Sequence, residues 1–221
     1  MKAAVKTDPI AERAGAILSL EDVAVARAGR RVIAGVSLVL NPGAAIIFKG
    51  PNGSGKTTLL RAIAGLLPII AGRIDIRTGA DVASSVADRR AHVVHCGHLD
   101  GVKAPMTVGE NIAFWALLYG APRGRIDEAL RLFDLGALAP ARAADLSAGQ
   151  RRRLCLARLV VSGRPIWLLD EPTASMDAAS VARLIDLIGA HRMNGGSLIV
   201  ATHDKIAIDG ARSYVLEPVA V

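Results

Sequence analysis

Gly50-Pro51-Asn52-Gly53-Ser54-Gly55-Lys56-Thr57 lies between the wholly apolar residues 44–48 and a stretch, 57–67, whose apolar residues recur at helical spacing. The pattern G-x-x-x-x-G-K-[ST] between a strand and a helix describes a phosphate-binding loop. Glycines let successive backbone N–H groups turn inward around an anion, and the helix beginning near Lys56 points its positive end at the same place. Lys56 adds a cation for the β- and γ-phosphates, the Thr57 hydroxyl suits Mg²⁺, and Thr58 belongs to the same turn. A glycine-rich turn with an incidental lysine would leave both the strand and the helix as coincidences. The loop points to a nucleoside triphosphatase.

Outward from the loop, residues 16–25 and 32–40 alternate apolar and polar side chains around Gly29 and Gly35, as in an antiparallel strand pair. Asn41-Pro42-Gly43 turns the chain into 44–48. Residues 92–96, 166–169, 197–201 and 214–216 read as strands, with a long helix over 177–191. Residues 107–119, 125–135 and 148–161 read as helices separated by Gly and Pro. Together these predict an α/β fold with a parallel-sheet core, an N-terminal antiparallel β subdomain and a helical subdomain inserted at about 104–160. Residues 1–15 are polar and irregular and read as an N-terminal arm, with 16–221 forming one domain.

The strand 166–169 ends in Asp170-Glu171. At the carboxyl end of a parallel strand both acids emerge where open α/β sheets bind ligands. Asp170 there suits Mg²⁺ through its water shell, and Glu171, pointing the other way, suits polarising a water.

Of the 221 residues, 52% are hydrophobic and 21% charged, which supports a sizeable core and excludes disorder. No apolar run spans a bilayer: 32–48 is broken by Asn41-Pro42-Gly43, and 62–71 is short and contains Pro68. Lys2, Lys6, Asp8, Glu12 and Arg13 argue against a secretory signal. Two cysteines, Cys96 and Cys155, make no disulfide framework and point to a reduced compartment. A net charge of +7 calls for a polyanionic neighbour, whether nucleotide, nucleic acid or anionic membrane, while 3% aromatics offers little for stacking single strands. His95-Cys96-Gly97-His98 brings two imidazoles and a thiol together, but alternate strand residues face opposite sides, which favours a buried thiol over a haem or metal site. Arg151-Arg152-Arg153 reads as a solvated helix start near the phosphates and only secondarily as a lipid contact, and Phe114, Trp115 and Leu118 as a packing face of the helical insertion, part of it open to a membrane partner.

With Leu146-Ser147-Ala148-Gly149-Gln150 standing between the phosphate loop and Asp170-Glu171, the chain resembles the ATP-binding-cassette (ABC) ATPases, Ala148 replacing the first glycine of their signature. Ser147 and the Gly149 backbone sit at a helix N-terminus, a second anion site. The resemblance implies that this tip faces the γ-phosphate bound to a second copy, so that a homodimer sandwiches two ATP molecules head to tail. It implies ATP and Mg²⁺ as cofactors and Lys56, Glu171 and His203 as catalytic residues. Gly50 through Thr58, Ser147 and Gly149 become nucleotide-binding, and Thr57 and Asp170 metal ligands. Ser175-Met176-Asp177 resembles the family's D-loop, and His203, in Ala201-Thr202-His203-Asp204, its switch histidine.

Two departures stand out. The aromatic that family members place before the first-hairpin glycine is missing from Arg27-Ala28-Gly29, so Arg27, Arg30 or Arg31 stacks on the base instead, or base binding is weaker and less selective. Where the family carries a glutamine touching metal and water this chain has Leu99, so His98 or Asp100 substitutes or turnover is slow. These departures, with Gly101-Val102-Lys103, Thr107-Val108, Glu110-Asn111, Ala157-Arg158-Leu159 and the run from Pro165 to Pro172, resemble the haem-exporter ATPases of cytochrome c maturation. That resemblance implies a peripheral subunit on the cytoplasmic face of the bacterial inner membrane. Its partners would be integral-membrane transporter subunits, and its hydrolysis would drive haem export or release of a haem-loaded chaperone. No nucleic acid is expected as a partner. Other readings with the same engine are an exporter of lipid or drug, a soluble ABC ATPase acting on nucleic acid, and a nucleotide-binding regulator with little turnover.

Overall fold

Ala28 (φ +47°) and Gly29 (φ +76°) are both left-handed and make a two-residue turn whose twist matches that of the strands it joins. Those strands are β1 (Ile17–Arg27) and β2 (Arg30–Leu40), paired antiparallel. The computed structural model describes residues 15–97, 101–204 and 206–219, so the expected N-terminal arm lies outside the described residues apart from Gly15. In chain order there follow β3 (Ala45–Lys49), α1 (Lys56–Ile63), β4 (Ala71–Thr78), β5 (Asp81–Ala83), α2 (Val86–Arg90) and β6 (Val93–Cys96). The remainder is α3 (Val108–Tyr119), α4 (Gly124–Leu132), α5 (Ala148–Ser162), β7 (Ile166–Asp170), α6 (Ala178–Met193), β8 (Ser197–Ala201) and β9 (Arg212–Val215).

The strands form two sheets, an antiparallel one in the order β2-β1-β4-β5 and a parallel one in the order β6-β7-β8-β3-β9. The expected α/β architecture with a parallel core and an antiparallel N-terminal sheet is therefore present. β4, β5 and α2 are additions that sequence patterning did not single out. The parallel strands alternate between two interiors, as the two-residue side-chain period requires. Ile46, Phe48, Ile166, Leu168, Ile199 and Ala201 face α1 and the antiparallel sheet. Trp167, Leu169, Leu198 and Val200 face the other way, into the core built with α3, α5 and α6.

Local signals set the helix ends. Thr107 and Glu110 form a capping box at the start of α3, which ends at left-handed Gly120. Ser147 and Gln150 do the same for α5, which ends at left-handed Gly163. α3, α4 and α5 pack on one another, and α5 also lies against β6. Among the described residues no helix is long and apolar enough to cross a membrane.

Candidate active site

Three neighbouring parallel strands deliver the site. In register, Phe48 of β3 pairs with Ala201 of β8, and Ala201 pairs with Asp170 of β7. The residues that follow these three therefore leave the sheet at one edge: the phosphate loop after β3, Glu171 after β7, and Thr202 and His203 after β8. This is the carboxyl-end crevice of an open α/β sheet.

In the phosphate loop, Pro51, Asn52 and Gly53 form the exposed rim, while Ser54, Gly55 and Lys56 are buried. Glycine is obligatory at two positions. A Cβ on Gly50 (φ +140°) would lie 2.3 Å from the Leu216 carbonyl oxygen, and one on Gly55 (φ +92°) 2.4 Å from Ile33 Cδ1. Lys56 is 7% exposed and arches back over the loop, its Nζ donating to the Gly50 and Pro51 carbonyls at 2.8 and 3.1 Å. Gly55 is the left-handed N-cap of α1, and the N–H groups of its first turn, which includes buried Thr58, have no acceptor within the helix. Ser54 Oγ is buried with no hydrogen-bond partner among the described residues. A concave run of donors, a buried ammonium and an orphaned hydroxyl suit a polyphosphate.

The acids behind the loop have different surroundings. Asp170 is 6% exposed and its Oδ1 accepts the Thr57 hydroxyl at 3.1 Å, bringing together two hard oxygen groups of the kind Mg²⁺ takes beside phosphate. Glu171 has φ +47°, a left-handed conformation that costs an L-residue about 1–2 kcal/mol. It turns the carboxylate away from Asp170 and toward β8. There Glu171 Oε2 accepts the Thr202 hydroxyl at 2.9 Å, the His203 N–H lies 3.2 and 3.3 Å from the two carboxylate oxygens, and His203 Nε2 stands 3.7 Å from Oε1. Asp204 completes the group, its N–H donating to Thr202 Oγ1 and its carboxylate accepting the Thr173 hydroxyl. Thr202 was not among the residues singled out from sequence, although its place directly after a buried strand at the ligand edge is a usable signal.

Ser147 caps α5 by accepting the Gln150 N–H at 3.2 Å. A Cβ on Gly149 would sit 2.7 Å from the carbonyl oxygen of Ser175, itself left-handed at φ +63°, so this glycine lets the helix tip press against the 175–177 turn. Asp177 closes that turn by capping α6 through the Ser180 N–H, and the Ser180 bonds hold its carboxyl below the usual carboxylate range. No hydrogen bond among the described residues joins Ser147 or Gly149 to residues 50–58 of the same chain.

The structure corrects two readings. Arg152 is not solvated: it is 4% exposed, and its guanidinium meets backbone carbonyls of residues 97, 170, 171 and 172. The signal lay in buried Cys155, Leu156 and Leu159 three, four and seven residues on, which place Arg152 on the inward face of α5. Leu118 is 61% exposed and its neighbour Leu117 83%, so this part of α3 faces out, whereas Trp115 stacks on Tyr119 and donates to the Gly101 carbonyl. His98, Leu99 and Asp100 lie outside the described residues. Arg27, Arg30 and Arg31 are exposed around the hairpin tip, and Ile33 rests on Gly55. Cys96 and Cys155 are buried thiols; the bond from Cys155 and the Arg158 charge pull the Cys96 thiol down, and the bond with Cys96 and burial push the Cys155 thiol up. Among the described residues no group of three His, Cys, Asp or Glu could hold a metal.

Residues 33–174 match the model of the family described as ABC transporter. The "Cytochrome c biogenesis ATP-binding export protein CcmA" of Ruegeria pomeroyi is 50% identical over 193 residues, covering 87% of each chain. The protein of the same name from Cereibacter sphaeroides is 47% identical over 201 residues, covering 91% of this chain and 89% of that one. The chain belongs to the ABC transporter family, among the CcmA proteins. As a cassette of that family it is an ATP-hydrolysing transporter subunit. The fold is shared with a dimeric ATP-binding cassette solved in a post-hydrolysis state with ADP and Pi (TM-score 0.74, 24% identity, 85% of this chain and 88% of that one).

Proposed function

We propose that this cassette is the ATPase subunit of an exporter serving cytochrome c biogenesis, acting on the export of haem or the release of a haem-loaded chaperone. It works at the cytoplasmic face of the bacterial inner membrane with separate integral-membrane subunits. The names of relatives at 47–50% identity over most of both chains support the pathway. The exposed Leu117 and Leu118 on α3 offer an apolar surface to a membrane subunit. Two copies close head to tail around two ATP molecules, the Ser147 tip of each facing the γ-phosphate held by the other; that a cassette of the same fold is dimeric supports the pairing of two copies.

The observation that carries the catalytic reading is the Glu171 carboxylate, held by Thr202 and His203 beside the glycine loop. The loop N–H groups and the Lys56 ammonium bind the β- and γ-phosphates and neutralise charge as it builds. Thr57 and Asp170 would hold Mg²⁺, which supplies charge neutralisation on the phosphate oxygens. Glu171 takes a proton from the attacking water as its oxygen bonds to the γ-phosphorus and the bond to the bridging oxygen breaks. His203 stands next to that carboxylate and contacts the departing phosphoryl group. Glu171→Gln keeps the side chain's size and shape but removes the base. Phosphate release should fall at least a hundredfold, while ATP shifts the variant from monomer to dimer in sedimentation velocity. Unchanged phosphate release would overturn the reading.

A further inference from the structure

Arg152 stands one helical turn into α5, behind the Ser147 tip, and its guanidinium reaches two separate segments. Nη1 donates to the Gly97 carbonyl at the end of β6. Nη2 donates to the Asp170 and Glu171 carbonyls, both at 2.8 Å, and Nε to the Pro172 carbonyl at 3.1 Å. The Asp170 and Glu171 carbonyls belong to the two peptide planes on either side of the Glu171 Cα, and their relative rotation is what φ and ψ of Glu171 measure. With φ at +47°, Glu171 holds a conformation that L-residues leave unless their surroundings enforce it. Nη2, donating to both flanking carbonyls, helps to enforce it, beside the Glu171 N–H bond to the Ala201 carbonyl and the Ala174 N–H bond to the Glu171 carbonyl. Released from that fork, the Glu171 backbone would relax toward the right-handed or extended regions and swing its carboxylate off Thr202 and His203.

We infer that Arg152 is a positioning residue for hydrolysis: it locks the left-handed backbone of Glu171, and because it rides on α5 it ties the placement of the Ser147 tip to the aim of Glu171 in the same chain. The inference rests on the proposed role of Glu171 as base. In a head-to-tail dimer the tip serves one ATP and Glu171 the other, so Arg152 is a mechanical link between the two sites. Lysine at this position would keep the charge, but a single ammonium cannot span the carbonyls of residues 97 and 172 at once.

The test compares Arg152→Lys and Arg152→Gln with the parent protein, alone and combined with Glu171→Gln. Phosphate release is measured across ATP concentrations, equilibrium ATP binding is measured separately, and folding is checked by circular dichroism. We expect kcat to fall about tenfold or more in Arg152→Gln and about fivefold in Arg152→Lys, with ATP affinity within threefold of the parent in both. On the Glu171→Gln background neither change should lower the residual rate further, because the group that Arg152 aims is already gone. If Arg152→Gln does not fold, Arg152→Lys carries the same comparison. A kcat within twofold of the parent, an equal loss of affinity and rate, or losses that multiply with Glu171→Gln would each overturn the inference. A Glu171→Gln single variant with normal turnover would instead overturn the catalytic reading on which it rests.

Discussion

Replacing Thr202 with valine keeps the branched shape of a side chain that is 5% exposed and deletes one hydroxyl. That hydroxyl donates to Glu171 Oε2 at 2.9 Å and accepts the Asp204 N–H at 3.0 Å. A hydrogen bond to a charged group is worth about 1.5–3 kcal/mol. The Glu171 side chain is 27% exposed, and the His203 N–H and imidazole still face it, so water and these neighbours recover part of the loss. The lower end, about 1.5 kcal/mol, corresponds to roughly a tenfold fall in kcat. KM for ATP should stay within about twofold, because the bond aims the base and does not contact the phosphate loop. Phosphate release over a range of ATP concentrations separates the two parameters, and Thr202→Ser, which restores the donor, should recover most of the rate. If valine leaves kcat within twofold, or raises KM with kcat intact, the hydroxyl does not aim Glu171.

Two further outcomes follow from single residues. His191 stacks on Trp167 with ring centroids 3.7 Å apart, and burial lowers its pKa from 6.5 to about 4. The unfolded chain therefore binds a proton between pH 6.5 and 4 that the folded one refuses, and stability present above pH 6.5 drains away as pH falls. Urea unfolding should show about 2 kcal/mol lost to this group between pH 7 and 5, and His191→Phe, which keeps the stack, should lose that much less; equal slopes would sink the idea. Gly149→Ala puts a methyl 2.7 Å from the Ser175 carbonyl. We expect kcat to drop about tenfold while ATP affinity of the separate chain is unchanged, as read by phosphate release and equilibrium binding; normal turnover would show that the tip tolerates displacement.

The parts of this molecule that sequence revealed are those in which a local stretch contains its own explanation. The glycine loop and the acids ending β7 each combine a motif with the element that presents it, so residues 50–58, 170 and 171 could be singled out without coordinates, whereas 147, 149 and 203 stood out only through the resemblance to ABC ATPases and the order of its motifs. β4 escaped because only Asp75 and its two isoleucines, Ile74 and Ile76, are buried in an eight-residue strand, too few for a period to emerge. Arg152 and Thr202 escaped for a different reason. Their partners are backbone carbonyls and a carboxylate brought near by folding, and no residue type next to them in the chain announces that. The run of three arginines pointed to solvent on composition, whereas helical geometry sends the middle one inward.

The pairing of Phe48 with Ala201 and of Ala201 with Asp170 also sets what length variation the molecule tolerates. Inserting or deleting one residue in β3, β7 or β8 would slide a reactive group about 3.3 Å along its neighbour and turn it to the opposite face. Whole-residue indels in these fifteen positions should therefore abolish turnover even where the apolar interior accommodates them.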